Sequence, residues 1–571
     1  AVDPTKLGLP ELKLGIVPGF GGTLRLPRLI GLARALPAIL GSSNFDGRKA
    51  LKCGLADALC PLEYLEKTAQ ALALKLLDPA EVARLRQKRR DTLPLSMRLM
   101  ELPLLRAMTF DLARKEVMKK TGGHYPAPLL FLAHLKSKWS ASRGPFLESE
   151  AKALAESMDS PVARNLIRIF FLSQDVKKQA GTARPTKLSR LAIVGAGFMG
   201  SGIAIPALSR AKLPTLLKDA NEEVLGRAMK KIWGSFAKRV SRRQIGVLEA
   251  KNLFDLATPV TSDAGMVRAD LVIEAVPEIL ELKKKIFASL EAVLPPHAIL
   301  ASNTSTLPIR DLSAGARNPE RFIGMHFFSP AEIMPLVEVI PGPGTSPETL
   351  ATVIDLALKM GKTPVVVGDS PGFLVNRILL PYILEAVQMV DEGVPVATVD
   401  AAAVAFGMPV GPIQLIGDVG VEVIIKVFQI LQEHFGDHLP HPAWIEREDF
   451  AKAFVREGSR VRVDEALIQR WIAKSDPGYS KLDVLDRLFH SMLNEAARCL
   501  DEGVVKDPGV LDLAMIFGTG FPAFRGGLLR EAQSRGLEKV VNRGKVLGSR
   551  FGGWLSPPQA LLKRQETGFY V

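Results

Sequence analysis

Two groups of residues in this sequence have the types and the spacing to do chemistry. The first is Gly195-x-Gly197-x-x-Gly200, inside LAIVGAGFMGSG at 191–202. A short apolar run leads into it and an uncharged helical pattern follows. In a strand–turn–helix unit the first glycine permits a tight turn. The second lets a pyrophosphate approach the backbone, and the third lets helix and strand pack closely. The helix start then offers unpaired N–H groups and its dipole to phosphates. Plain buried turns contain such glycines too, so the end of the next strand matters. LPTLLKD ends at Asp219, whose carboxylate suits ribose hydroxyls and repels a 2′-phosphate. NAD is therefore expected over NADP, although Lys218 beside it works against that preference.

The second group is His326 and Glu338, twelve positions apart in IGMHFFSPAEIMPLVEVI. Oxidation of an alcohol needs a base for the hydroxyl proton, a group to hold that base, and donors for the developing oxyanion. Histidine is the side chain whose charge changes near neutral pH. His326 and Glu338 each lie in an apolar run of strand length, and adjacent strands would bring them together.

The elements that must position these residues alternate. LAIVG, LPTLLKD, DLVIEAV, HAILASN, RFIGMHFF, LVEVI and TPVVVGD are short apolar runs, with helical patterns such as EILELKKKIFASLEAVL between some of them. Such alternation implies a parallel sheet covered on both faces. GTARPTKLSR at 181–190 reads as a boundary before this region. From about Pro371 the pattern is helical to the end, and it repeats. EAVQMVDEGV at 385–394 matches EAARCLDEGV at 495–504, an offset of 110.

Composition narrows the classes. The 571 residues are 47% hydrophobic and 23% charged, as in ordinary globular proteins of several domains. The net charge of +14 is scattered in runs such as RQKRRD (86–91), which suits solvated helix faces or a polyanionic ligand. No zinc-finger pattern or aromatic-studded basic strand points to nucleic acid, so no nucleic-acid partner is expected. The uncharged stretch at 191–209 is interrupted by glycines, serines and Pro206, so no integral membrane segment is expected there. Three cysteines form no CxxC pair, and no metal is expected. EHFGDHLPH places His434, Asp437, His438 and His441 at loosely metal-like spacing, but Gly436 and Pro440 break any helix that would align them, and the stretch reads as a solvated loop.

ASNTSTLPI, GMHFFSPAEIMPLVEVI and DSPGFLVNRILLPY resemble the motifs of L-3-hydroxyacyl-CoA dehydrogenases. The resemblance runs from 188 to 571. It implies NAD as cofactor, an acyl-CoA substrate and a catalytic set of Ser305, His326, Glu338 and Asn376. His326 would take the hydroxyl proton and Glu338 would orient its imidazole. Ser305 and Asn376 would donate hydrogen bonds to the C3 oxygen or the thioester region. Glu274 and Lys283 resemble residues near the nicotinamide end and the coenzyme A.

Upstream, LGLPELKLGIVPGFGGTLRLPRLIGLARAL resembles the second half of an enoyl-CoA hydratase (crotonase) core. Glu11 matches one of that family's two catalytic glutamates. The second glutamate and the oxyanion loops have no counterpart in this sequence, so Glu11 is expected to be the relic of a hydratase site. Gly19, Gly21 and Gly22 are expected to serve a turn before a helix. The whole order resembles the multifunctional fatty-acid β-oxidation enzyme, with a thiolase subunit as a partner. Two alternatives stand beside this: a fragment of a complete bifunctional hydratase/dehydrogenase, or a non-catalytic subunit that binds acyl-CoA or scaffolds a thiolase. The intact Ser–His–Glu–Asn set speaks against the latter. The ending QETGFYV lacks an S-K-L-type address and resembles bacterial members, so cytoplasm is expected rather than peroxisome.

The expected architecture is an α/β Rossmann dinucleotide-binding domain followed by two tandem all-α domains, preceded by a crotonase-fold remnant and a helical linker. The expected boundaries are 1–65 for the truncated crotonase remnant, 66–185 for the helical crotonase C-terminal and linker region, and 186–370 for the NAD-binding domain. The two helical repeats are expected at 371–475 and 476–571.

Overall fold

The computed structural model describes the chain apart from residues 3, 4, 458, 459, 473–477 and 571, and apart from the side chains of residues 437, 444 and 460. The Asp437 side chain and the expected boundary at 475/476 therefore lie outside the described residues. The chain forms two compact units. One is Ala1–Phe170 with Ala523–Gly526; the other is Phe171–Pro522 with Gly527–Val571. The expected 185/186 boundary falls inside the second unit.

The first unit is helical. Its core gathers Leu12, Val17, Ile30, Leu36, Phe131 and Phe146. Among the described residues of 1–65 no strand forms, and the only β pairing is in isolated bridges, Val2 to Cys60 and Leu7 to Phe45. The glycine turn does precede a helix, Gly22–Ile30. The carboxylate of Glu150 accepts from the N–H of Gly21 at 2.6 Å and of Thr23 at 3.2 Å, and so caps that helix from a distant part of the chain.

The second unit is built on an eight-stranded sheet. Its strands are β1 (Leu191–Val194), β2 (Thr215–Lys218), β3 (Ala257–Val260) and β4 (Leu271–Glu274). β5 (Ile299–Ser302), β6 (Phe322–Phe327), β7 (Leu336–Pro341) and β8 (Thr363–Val366) complete it. Their order is β3-β2-β1-β4-β5-β6-β7-β8. The reversal between β1 and β4 is the switch point of a Rossmann sheet, where ligands bind beyond the carboxyl ends of the strands.

Two features depart from the expected pattern. β3 was not among the apolar runs: its ATPV carries Pro259 and is partly exposed, which only an edge strand tolerates. β7 runs antiparallel to β6, so the sheet is not wholly parallel. The connection between them is too short for a crossover helix, which only antiparallel neighbours allow.

Beyond the sheet the chain is helical, as expected, except for an antiparallel hairpin of β9 (Phe454–Glu457) and β10 (Arg460–Val463). Helix α1 (Phe198–Pro206) follows β1. Helices α2 (Val375–Asp391) and α3 (Lys481–Asp501) belong to the two sequence repeats and pack on each other. Among the described residues no helix is long and apolar enough to cross a membrane.

The short β6–β7 connection is pinned by a buried lysine. Lys362 Nζ donates to the carbonyls of Ala331 at 2.5 Å and Met334 at 2.7 Å. Burial, with Arg210 nearby, pushes Lys362 down to about 8 from an ordinary 10.5. Across that window the unfolded chain still binds the proton that the folded chain has released, so this group's contribution to stability rises with pH. Denaturant unfolding of the parent and Lys362→Met at about pH 7.5 and about pH 10 checks this. The stability difference should shift in the parent's favour at the higher pH; a difference that stays constant would place the titration elsewhere.

Candidate active site

The glycine turn sits at the switch point, and its three glycines answer to different constraints. Gly195 has φ +97°, and a Cβ there would lie 2.5 Å from the carbonyl oxygen of Ala275, just after β4. A Cβ on Gly200 would lie 1.8 Å from the carbonyl oxygen of Gly195. Gly197 has nothing within 4 Å of its Cβ position. It is the N-cap of α1, whose first N–H groups have no partner within the helix. A helix start of this kind suits a phosphate group. Asp219 follows β2 directly. Its carboxylate accepts from Ala196 N–H at 2.9 Å and from Asn221 N–H at 3.1 Å, which ties it to the turn. Lys218, which weighed against NAD in the sequence, is engaged by Asp263.

On the other side of the switch point, His326 of β6 and Glu338 of β7 are direct cross-strand partners. His326 Nδ1 lies 2.8 Å from Glu338 Oε2. The carboxylate can only accept here, so Nδ1 carries the proton and the lone pair sits on Nε2. The other oxygen, Glu338 Oε1, accepts from the N–H groups of Leu374 at 3.1 Å and Val375 at 2.9 Å, at the start of α2. Glu338 is fully buried and His326 is 5% exposed. The imidazole packs beside Phe328 and Phe373.

Ser305 and Asn376 are brought together. Asn376 Nδ2 donates to the Ser305 carbonyl oxygen at 3.1 Å, linking the loop after β5 to α2. Ser305 Oγ lies 3.3 Å from Glu278 Oε1. Glu274 and Lys283 meet each other at 2.8 Å, with side chains 0% and 1% exposed. Ser302 Oγ and the Val276 N–H complete the Glu274 shell, each at 2.7 Å. Glu274 and Lys283, which resemble residues near the nicotinamide end and the coenzyme A, are thus paired with each other.

Two residues were missed. Glu278 Oε1 accepts from Thr304 Oγ1 at 2.5 Å, from Ser305 N–H at 2.8 Å and from Thr306 N–H at 3.2 Å. Its other oxygen lies 3.2 Å from Lys283 Nζ. Burial works against its charge, but Lys283 and these donors more than offset it and hold the carboxyl below its usual range. Asn303 Oδ1 accepts from Phe327 N–H at 2.9 Å, fixing the loop to the end of β6. The available signal was the run SNTST itself: so many donors in one buried turn need an acceptor. Glu11, by contrast, lies in the first unit, in the turn Glu11–Leu14, with its Oε2 buried and without a hydrogen-bond partner. Among the described residues no group of three or more His, Cys, Asp or Glu could hold a metal ion.

A Rossmann sheet with a glycine turn at its switch point and a buried histidine–carboxylate pair on β6 and β7 fits an NAD-dependent dehydrogenase. Residues 190–370 match the model of the 3-hydroxyacyl-CoA dehydrogenase NAD binding domain, 372–459 that of the 3-hydroxyacyl-CoA dehydrogenase C-terminal domain, and 1–122 that of enoyl-CoA hydratase/isomerase. The chain is 26% identical to 3-hydroxybutyryl-CoA dehydrogenase from Escherichia coli, over 67% of this chain and 99% of that one, with a TM-score of 0.56. It is 25% identical to the dehydrogenase part of multifunctional enzyme 1 from C. elegans, over 70% of this chain and 96% of that one, with a TM-score of 0.50. It is 33% identical to (S)-3-hydroxybutyryl-CoA dehydrogenase PaaH1 from Ralstonia eutropha, over 47% of this chain and 94% of that one, with a TM-score of 0.45. The chain belongs to the 3-hydroxyacyl-CoA dehydrogenase family.

The glycine geometry separates folding from cofactor binding. Gly200→Ala should cost about 2–3 kcal/mol of stability, because its methyl group meets backbone. Gly197→Ala should fold with nearly unchanged stability and bind NAD⁺ about tenfold more weakly, a loss of about 1.4 kcal/mol. Thermal unfolding and NAD⁺ titration of both variants test this. Equal losses of stability would show that Gly197 is needed for the turn and not for the phosphates.

Proposed function

We propose that His326 is the general base in the oxidation of an (S)-3-hydroxyacyl-CoA to the 3-oxoacyl-CoA, with Glu338, Ser305 and Asn376 completing the site. The observation that carries this reading is the Nδ1 contact to Glu338 at 2.8 Å, which leaves Nε2 free to accept the hydroxyl proton. Bound NAD⁺ supplies the hydride acceptor. Gly195, Gly197 and Gly200 would hold its phosphates and Asp219 its adenosine ribose. As His326 takes the proton from the C3 hydroxyl it becomes cationic, and the buried Glu338 carboxylate stabilises that charge. Ser305 and Asn376 steady the C3 oxygen and the acyl group. Glu274, Lys283 and Glu278 are the frame beneath the Ser305 loop. The resemblance extends the reading to fatty-acid β-oxidation, a thiolase partner and the cytoplasm.

His326→Ala should lower kcat/KM for 3-hydroxybutyryl-CoA by about 10²-fold or more, the usual contribution of a general base. NAD⁺ affinity should hold. Glu338→Gln should also lower turnover and move the acid limb of the rate–pH profile to lower pH, since the cationic imidazole loses its partner. The measurements are kcat/KM against pH and a separate NAD⁺ titration. Near-normal turnover in His326→Ala, or NAD⁺ binding lost together with turnover, would remove His326 from the role of base.

A second reading attaches to residues 1–122, because they match the hydratase/isomerase model and carry Glu11. Hydration of an enoyl thioester calls for two carboxylates around one water and two N–H donors for the oxyanion. The resemblance assigns one carboxylate. The 571-residue polypeptide should therefore show no measurable hydration of crotonyl-CoA. A hydratase rate that disappears in Glu11→Gln would overturn this.

A further inference from the structure

The two helical repeats grip each other through a reciprocal pair of ionic clasps. Arg377, in the first turn of α2, donates through Nε to Glu495 at 2.6 Å. Its two terminal nitrogens meet Glu502 at 2.6 and 2.9 Å. Arg487, near the start of α3, does the same in reverse. Its Nε donates to Glu385 at 2.5 Å and its terminal nitrogens to Glu392 at 2.5 and 3.0 Å. Residues 377 and 487, 385 and 495, and 392 and 502 each differ by the offset of 110 found in the sequence repeat. Each guanidinium also lies over a ring, Phe435 at 4.0 Å and Phe551 at 4.4 Å. Burial opposes the charge on both arginines, and the paired glutamates more than offset it.

The clasps match in their arginine–glutamate bonds but not in their surroundings. Arg377 follows the Leu374 and Val375 amides that hold Glu338, and it follows Asn376, which holds Ser305. It also donates to Ser370 Oγ at 3.0 Å, in the loop leading into α2. Next to Arg487 stands Asp486 instead of an asparagine, engaged by Arg543 at 2.7 Å and Arg535 at 3.4 Å. One clasp therefore sits against the active site, and its twin sits against an ordinary ion cluster.

We propose that Glu495 and Glu502 of the second repeat are positioning residues for the dehydrogenase. Through Arg377 they fix the first turn of α2, and with it Asn376 and the two amides on Glu338. The proposal rests on the reading of His326 and Glu338 given above. If the first turn shifts, the amides leave Glu338 Oε1, and more of its charge acts on the cationic imidazole. The twin clasp has no such consequence. It is an internal control of the same chemistry in the same molecule.

The test compares Glu502→Gln with Glu392→Gln in the full chain, measuring kcat and KM for 3-hydroxybutyryl-CoA against pH, NAD⁺ affinity and thermal unfolding. Both variants should lower the unfolding temperature to a similar extent. Glu502→Gln alone should lower kcat by roughly two- to thirtyfold, the range of coupling through a packed network, and move the acid limb upward. KM and NAD⁺ affinity should change little. Should Glu502→Gln not fold, Glu495→Gln against Glu385→Gln repeats the comparison at the Nε partners. Equal kcat values and profiles for the two members of a pair would overturn the proposal. His326→Ala, measured alongside, separates the failures: retained turnover there would overturn the site reading itself.

Discussion

Glu338 holds a carboxylate where there is no water to solvate it. Left bare, such a charge costs several kcal/mol. It persists because three donors close around it, at 2.8, 3.1 and 2.9 Å. Those donors come from a neighbouring strand and from a helix start, and this requirement shapes the unit. β7 must run antiparallel to β6, in register, for residue 338 to stand opposite 326. α2 must begin against the same spot, because the unpaired amides of a helix N-terminus stabilise an anion without a protonated partner. An imidazole held this way has one tautomer and one orientation, which is what a base needs before substrate arrives.

A second, half-buried carboxylate organises the other wall by the same physics. Glu278 gathers the donors of Thr304, Ser305 and Thr306 and leans on Lys283, which is already paired with Glu274. The loop after β5 is thus moulded around an anion beneath it. Asn376 joins the two walls by bonding the Ser305 carbonyl. The Ser305 hydroxyl, at 3.3 Å from Glu278, is held less closely than the Thr304 hydroxyl at 2.5 Å and has less to lose on turning toward a ligand.

The parts of this site legible in the sequence were those with local causes. A glycine pattern at a strand end states its backbone demands within six residues, and Asp219 follows from the length of one βα unit. His326 and Glu338 could be paired because each sat in a strand-length apolar run. What stayed hidden depends on partners distant in sequence. The direction of β7 is set by connection geometry and not by composition. β3 is an edge strand whose Pro259 reads as a break. The hairpin of β9 and β10 lies in a region whose pattern is otherwise helical. Glu278 looks like an acidic residue leading into the helix Leu280–Val293, and only the fold turns it toward SNTST. For Glu274 and Lys283 the resemblance pointed to the nicotinamide end and the coenzyme A, while their pairing with each other needed the fold to be seen.

The repeat shows which demands belong to packing and which to chemistry. Both copies keep the arginine, both glutamates and their spacing, because two buried guanidiniums between crossing helices must each be neutralised. Both keep an aspartate folded over a glycine. A Cβ on Gly411 would lie 2.1 Å from Asp400 Cγ, and one on Gly527 would lie 2.2 Å from Asp512 Cγ. Asp400 then accepts from Ile413 N–H at 2.9 Å and Asp512 from Leu529 N–H at 2.8 Å, so each caps the helix that follows its glycine. The position before the arginine is where the copies part. In the first it is Asn376, an uncharged donor that can touch a backbone carbonyl without bringing a charge into the site. In the second it is Asp486, which would repel an anionic wall but is neutralised by Arg535 and Arg543. One scaffold therefore serves twice, and a single change from amide to carboxylate next to an unchanged clasp marks which copy faces Glu338 and Ser305.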